Sequence, residues 1–149
     1  MIYAPKVRSA QAALVVLVVD DDAFSRDYFS EMLAGVGVGK IQSAADGRAA
    51  LRTLAELPSP PDLLICDVFM PDMDGIEFLD HLSKKRYPGG VMLVSGQDVT
   101  MMALAQQVAL ENGLKLLGAY TKPVSAAVLT DALARVAALY RRHSHSVLS

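Results

Sequence analysis

Short, continuous apolar runs recur along the chain, and a helix-like pattern separates each run from the next. The first run, LVVLVV at residues 14–19, shows no alternation of polar and apolar residues, which is typical of a strand covered on both faces. Further strand-like runs occur at residues 41–45, 63–68, 91–95 and 115–121. Helical patterns occupy the intervals, at residues 23–34, 48–57, 76–85, 99–111 and 125–141. This alternation predicts an α/β fold with a five-stranded parallel sheet and helices on both of its faces.

Size and composition fit one globular domain. With 149 residues, 52% hydrophobic and 20% charged, the chain can bury a core without disulfides. A formal charge of −2 argues against a broad basic face for nucleic acid, and the single cysteine, Cys66, is typical of a reducing cytoplasm. The apolar run 12–19 is shorter than the roughly 20 residues that span a bilayer, and aspartates follow it instead of a cleavage site. We therefore expect a cytoplasmic domain that binds neither membrane nor nucleic acid directly, with tails at 1–12 and 142–149.

Polar residues with useful chemistry stand where the predicted strands end. They are Asp20 and Asp21 after the first strand, Asp67 in the third, Ser95 in the fourth and Lys122 after the fifth. Ligands of open parallel sheets bind beyond the carboxyl ends of the strands, so these side chains are expected at one edge. Taken singly, the residues have ordinary explanations as a helix start, a turn serine or a solvated lysine. Asp67 fits these explanations least, because it directly follows an apolar strand interior where an unpaired charge is costly.

The residue types at this edge limit the chemistry. Two carboxylates about 4 Å apart repel by roughly 1 kcal/mol in water and roughly 4 kcal/mol at a protein-like dielectric. A Mg²⁺ ion would relieve that repulsion, since it prefers oxygen ligands and accepts phosphate as a co-ligand. Lysine and serine can contact phosphate oxygens, and an aspartate can act as a nucleophile and form an aspartyl phosphate. Asp22 is interpreted separately, as a residue that starts the following helix.

Four segments together resemble the receiver domain of two-component response regulators. They are VLVVDDD, LLICDVFMPDMDG, MLVSG and YTKPV, and their order and spacing match the family over residues 13–141. The resemblance implies a flavodoxin-like receiver fold, which is a doubly wound sheet of strand order 2-1-3-4-5 with five helices. It also implies that Asp67 accepts a phosphoryl group from a histidine kinase or phosphotransfer protein. Ser95 and Lys122 would then contact phosphoryl oxygens.

The resemblance also implies a metal site and a signalling role. Asp20, Asp21, Asp67 and the backbone carbonyl of Phe69 would hold Mg²⁺, and the peptide bond before Pro123 would be cis. The chain would be a phosphoprotein switch in a phosphorelay, with no enzyme activity beyond its own phosphotransfer and autodephosphorylation. Output would pass through the fourth helix, fifth strand and fifth helix to an output domain or partner, and activation could also produce a homodimer. The segments VSGQD and NGLKLLGAYTKP are similar to receivers fused to EAL-type cyclic-di-GMP phosphodiesterase domains, which suggests a receiver excised from a longer protein.

Three positions depart from the family pattern. Ala119 stands where many receivers have an aromatic residue that moves inward on activation, and the neighbouring Tyr120 should face the other side of its strand. Phe69 and Gln97 stand at positions that influence dephosphorylation in the family. A bulky apolar Phe69 would restrict an attacking water, so we predict slow autodephosphorylation.

Two other functions of such a fold are alternatives to the phosphorylated switch. A pseudo-receiver acts as a phosphorylation-independent interaction module, and it usually lacks the acceptor aspartate, an acidic-pair member or the lysine. All of these are present here. A phosphohydrolase with an aspartyl-phosphate intermediate would need a D-x-D-x-T/V pattern after the first strand, which DDDAF does not supply. The sequence therefore favours the switch.

Overall fold

The apolar runs form strands and the intervening patterns form helices, in the predicted alternation. The computed structural model describes residues 12–96 and 99–148, with side chains described as far as residue 139. The strands are β1 (Val15–Val19), β2 (Lys40–Ala44), β3 (Leu63–Asp67), β4 (Gly90–Ser95) and β5 (Lys115–Thr121). The helices between and after them are α1 (Ala23–Gly35), α2 (Gly47–Glu56), α3 (Gly75–Lys84), α4 (Val99–Glu111) and α5 (Ala126–Leu148). The strands are parallel in the order β2-β1-β3-β4-β5, so the predicted doubly wound α/β fold is confirmed.

The register of the sheet brings the carboxyl ends of its strands level. Val19 at the end of β1 pairs with Cys66 of β3, and Ser95 at the end of β4 pairs with Thr121 at the end of β5. The polar residues that end or directly follow these strands therefore emerge at one edge of the sheet.

Residues of each strand alternate between two apolar cores, one on each face of the sheet. Val16 and Val18 of β1 lie on the α1/α5 face, where they belong to the same core as Phe29. Leu17 lies on the α2/α3/α4 face, in the core that contains Phe78. Burial of a side chain as large as Phe29 or Phe78 contributes about 1.5–3 kcal/mol. Because both of their faces are covered, the central strands β1, β3 and β4 are buried along almost their whole length and are apolar without an alternating pattern.

Aspartates begin three of the helices. The side chain of Asp22 accepts hydrogen bonds from the amides of Phe24 and Ser25, each at 3.3 Å, which confirms the prediction that Asp22 starts α1. Asp46 and Asp74 accept from amides of the first turns of α2 and α3 in the same way. Such a cap satisfies amides that have no partner within the helix and contributes about 1 kcal/mol.

Helix α5 continues beyond its predicted end. The sequence predicted a helix over residues 125–141, whereas α5 runs from Ala126 to Leu148. No glycine or proline follows Pro123 to end the helix, so the polar segment RRHSH continues it. Most of the predicted C-terminal tail is therefore helical, while residues 1–11 of the predicted N-terminal tail lie outside the described residues. Among the described helices, none combines the length and the apolarity needed to cross a membrane.

The turn after α3 contains a residue in the left-handed conformation. Arg86 has a φ of 55°, and the amides of Arg86 and Tyr87 donate to the carbonyls of Ser83 and Leu82, an arrangement that favours glycine. Because the Arg86 side chain is exposed, we expect Arg86→Gly to raise the free energy of unfolding by about 0.5–1 kcal/mol. Lys85→Gly, at an exposed residue with a φ of −83°, should lower it instead. Urea unfolding measures both changes, and an Arg86→Gly midpoint at or below that of the wild type would contradict the expectation.

Candidate functional site

The carboxyl edge of the sheet gathers the polar residues that the sequence singled out. Asp20 directly follows β1, Asp67 ends β3, Ser95 ends β4 and Lys122 directly follows β5. Asp20, Asp67 and Ser95 are buried, whereas Asp21 is exposed. Buried polar side chains are uncommon unless they are paired, so three of them at one edge mark a site and not a solvated surface.

Lys122 is the cation that faces the buried carboxylates. Its Nζ lies 2.6 Å from Oδ2 of Asp20 and donates a hydrogen bond to Oδ2 of Asp67 at 3.1 Å. Partial burial by itself lowers the pKa of Lys122, but the close contacts of its ammonium with the carboxylates of Asp20 and Asp67 outweigh the burial and raise the pKa above its ordinary value. The ammonium therefore stays charged at neutral pH. The Lys122–Pro123 peptide bond is cis, as predicted.

Asp67 is held as a partly desolvated carboxylate. Its Oδ1 accepts a hydrogen bond from the amide of Phe69 at 3.0 Å, which orients the carboxylate toward the edge of the sheet. Burial raises the pKa of Asp67, and the nearby charge of Asp20 adds to that effect. The Phe69 amide and Lys122 oppose the shift without cancelling it. A carboxylate that lies out of bulk water beside a cation is suited to act as a nucleophile.

Three carboxylates form a cluster that fits a divalent cation. One oxygen each from Asp20, Asp21 and Asp67 lie within 4.8 Å of one another. Oδ1 of Asp20 accepts from the Asp22 amide at 2.9 Å. Buried Oδ2 of Asp20 accepts no aligned hydrogen bond from the described residues, because the nearby Lys122 ammonium pairs with it by charge but is not aligned as a donor. A buried oxygen of this kind, in a set of hard oxygen donors, matches the ligands that Mg²⁺ prefers.

The aromatic residues of the segments that carry the site differ in their solvent exposure. Phe69 is 60% exposed and Phe24 is 78% exposed. Ala119 packs against the core on the α2/α3/α4 face and Tyr120 against the core on the α1/α5 face, which confirms that Tyr120 points away from the usual aromatic position. Gln97 lies outside the described residues.

Two residues of α1 contact the site and were not singled out from the sequence. Nη1 of Arg26 donates to the backbone carbonyl of Asp20 at 2.8 Å, and Oη of Tyr28 donates to the carbonyl of Val124 at 2.6 Å. Both side chains are half-buried. The only sequence signal is that they follow the acidic residues closely on the first helix.

Comparison with known proteins points to one family. A family model, the response regulator receiver domain, matches residues 16–134. The protein-glutamate methylesterase/protein-glutamine glutaminase 2 of Xanthomonas oryzae pv. oryzae is 34% identical over 140 residues, covering 85% of this chain and 38% of the relative. The cyclic di-GMP phosphodiesterase RocR of Pseudomonas aeruginosa is 36% identical over 122 residues, covering 82% of this chain and 31% of the relative. This chain thus spans only about a third of the length of these relatives.

Solved structures of a response regulator and of a chemotaxis protein are similar to this chain. A response regulator from Colwellia psychrerythraea has a TM-score of 0.69 at 32% identity, covering 83% of this chain and 96% of the other. The chemotaxis protein CheY4 of Vibrio cholerae has a TM-score of 0.68 at 28% identity, covering 83% of this chain and 99% of CheY4. The similarity to these small proteins covers almost their whole length.

Proposed function

Because the chain belongs to the response regulator receiver domain family, we propose that it is a phosphorylation-activated signalling switch whose phosphoacceptor is Asp67. The donor is a histidine kinase or a phosphotransfer protein. The observation that carries the proposal is the pairing of Lys122 Nζ with the buried carboxylates of both Asp20 and Asp67. We assign the receiver unit to residues 13–141, with flanking segments at 1–12 and 142–149.

In the proposed transfer, the protein supplies the nucleophile and the groups that orient it. A carboxylate oxygen of Asp67 attacks the phosphorus of a phosphohistidine, so that an O–P bond forms while the P–N bond breaks. The electron pair of the broken bond stays on the imidazole nitrogen of the donor. Lys122 would pair with one phosphoryl oxygen, and the Ser95 hydroxyl would donate a hydrogen bond to another.

The acidic cluster would hold the metal ion that this chemistry uses. Asp20, Asp21, Asp67 and the backbone carbonyl of Phe69 would be the protein ligands of Mg²⁺. When bound, the ion would neutralise charge on the transferring phosphoryl group. Without it, Asp20 and Asp67 share Lys122 as their only counter-cation among the described residues.

Output is proposed to leave through the face formed by α4, β5 and α5. Helix α4 exposes the apolar side chains of Val99, Leu104 and Leu110, which are 81%, 48% and 63% exposed. We infer that a protein partner would cover these exposed apolar side chains. The partner would be an output domain or protein such as the cyclic di-GMP phosphodiesterase or methylesterase named among the relatives. A homodimer on activation is a further proposed use of the domain.

The buried free thiol of Cys66 is consistent with the cytoplasmic location that we propose.

Intact-mass measurement after incubation with Mg²⁺ and acetyl phosphate tests the switch. The wild type should gain one phosphoryl group, lose it in hydroxylamine as acyl phosphates do, and gain none when EDTA removes Mg²⁺. A phosphoryl group that resists hydroxylamine would lie on a hydroxyl such as that of Ser95 and would contradict the proposal. No gain under any condition would favour the pseudo-receiver alternative.

Phe69 is expected to lengthen the life of the phosphorylated state. The amide of Phe69 donates a hydrogen bond to Oδ1 of Asp67, which fixes the Phe69 backbone beside the acceptor. The bulky side chain would therefore hinder a water that attacks the phosphoryl group. Phe69→Ala should therefore speed phosphoryl loss severalfold, as followed by intact mass after removal of the phosphodonor. Phe24→Ala, which also removes an exposed aromatic ring, should leave the rate unchanged. A wild-type phosphoryl lifetime of only seconds would be the contrary result.

A further inference from the structure

Helix α1 carries a tyrosine whose hydroxyl is bonded to the turn that follows β5. Tyr28 is half-buried, and its Oη donates to the carbonyl oxygen of Val124 at 2.6 Å, across 96 positions of sequence. Val124 is buried and stands two residues after Lys122. The contact therefore joins the first helix to the backbone that carries the site lysine.

The turn is fixed on both sides of the lysine backbone. Before Pro123, the amide of Lys122 donates to the carbonyl of Ser95 at 2.8 Å, which ties the turn to β4. After Pro123, the Tyr28 hydroxyl ties the carbonyl of Val124 to α1. The Lys122 side chain has a flexible four-carbon stem, so the place of its ammonium depends on where this backbone is held.

We propose that the Tyr28 hydroxyl is a positioning group for Lys122 in phosphoryl transfer to Asp67. This inference rests on the proposed function and adds a residue to it. The Lys122 ammonium reaches two carboxylates at the ends of different strands, Asp20 after β1 and Asp67 in β3. A small displacement of the turn would lengthen both contacts, and misplacement by about 1 Å can slow a reaction by orders of magnitude.

Helix α1 supports the other side of the site in the same way. Nη1 of Arg26 donates to the carbonyl of Asp20 at 2.8 Å, so side chains two residues apart on one helix bond the backbone of Asp20 and the backbone of the turn that follows Lys122. The geometry makes α1 the common support of the acidic pair and of the lysine turn.

A matched pair of tyrosines separates positioning from general stabilisation. Tyr28→Phe removes the hydroxyl but keeps the ring, which packs edge-on against Phe29 at 5.7 Å between centroids. Tyr87 is buried, and its hydroxyl likewise donates to backbone carbonyls, those of Pro61 at 2.9 Å and Gly90 at 3.2 Å. Gly90 begins β4, so Tyr87 lies at the opposite edge of the sheet. Tyr87→Phe therefore loses the same type of bond far from Lys122.

The experiment measures the rate of phosphorylation by acetyl phosphate at saturating Mg²⁺ together with the thermal midpoint of each variant. We expect Tyr28→Phe to slow phosphorylation about fivefold, the rate change that corresponds to one net hydrogen bond. Tyr87→Phe should lower the thermal midpoint at least as much as Tyr28→Phe does, and it should leave the rate of phosphorylation unchanged. In a Lys122→Ala background, Tyr28→Phe should cause no further slowing, because the group that it positions is absent.

Three results would overturn the inference. They are an unchanged rate in Tyr28→Phe, equal slowing by Tyr28→Phe and Tyr87→Phe, and the same Tyr28→Phe effect with and without Lys122. Failure of the proposed function gives a different signature, since the wild type itself would then gain no phosphoryl group.

Discussion

Replacement of Asp67 by asparagine is expected to abolish phosphorylation by acetyl phosphate while the chain remains folded. A carboxamide has no anionic oxygen with which to attack phosphorus, so no acyl phosphate can form. Asparagine keeps the shape of the side chain, and its Oδ1 can still accept the hydrogen bond that the Phe69 amide now donates at 3.0 Å. Intact mass after incubation in Mg²⁺ measures the loss. Asp72→Asn, at an exposed carboxylate in the following loop, is the matched control and should be phosphorylated like the wild type.

The same substitution is expected to stabilise the fold, which distinguishes lost chemistry from lost structure. Burial, with a contribution from Asp20, raises the pKa of Asp67 above its unfolded value. A carboxylate with a raised folded-state pKa costs folding free energy when it is ionised, and this cost is absent below the unfolded-state pKa. At neutral pH asparagine removes the cost, so the thermal midpoint without Mg²⁺ should be higher in Asp67→Asn than in the wild type. A phosphorylated Asp67→Asn chain would place the acceptor elsewhere.

The strands were predictable because the sheet is covered on both faces. Continuous apolar runs leave little choice of conformation, and the bounds of the covered strands β1, β3 and β4 each differ from the predicted bounds by one residue. The predicted end of α5 at residue 141 was wrong, because no glycine or proline follows Pro123 to mark in the sequence where the helix ends. Helix ends without a glycine or proline are set by packing and solvent, which the local sequence does not encode.

The meeting of Asp20, Asp67 and Lys122 at one edge followed from the rule that ligands bind beyond the carboxyl ends of parallel strands. That rule gives the edge but no distances, and it says nothing about helices. The bonds from Arg26 and Tyr28 to backbone carbonyls depend on how far α1 stands from the sheet, which is set by core packing against residues such as Phe29. Support of this kind is therefore visible only in three dimensions.

The acidic triple DDD is expected to divide into metal ligands and a helix cap, and neighbouring residues test the division. Asp21 and Asp22 are both exposed, and conversion of either to asparagine removes one negative charge. Only Asp21 belongs to the carboxylate cluster with Asp20 and Asp67. The Asp22 carboxylate instead accepts from the amide and hydroxyl of Ser25, which with its other hydrogen bonds lowers its pKa.

Asp21→Asn should therefore weaken Mg²⁺ binding about tenfold or more, because changes to the groups that merely support metal ligands already cost about 10- to 100-fold. Asp22→Asn should bind Mg²⁺ almost as the wild type does, and asparagine is itself a good cap, so stability should change little. The protein contains no tryptophan to report binding by fluorescence, so calorimetric titration is the appropriate measurement. Equal weakening by the two substitutions would mean that the site responds only to net charge. Loss of binding in Asp22→Asn alone would reverse the assignment and make Asp22 the ligand.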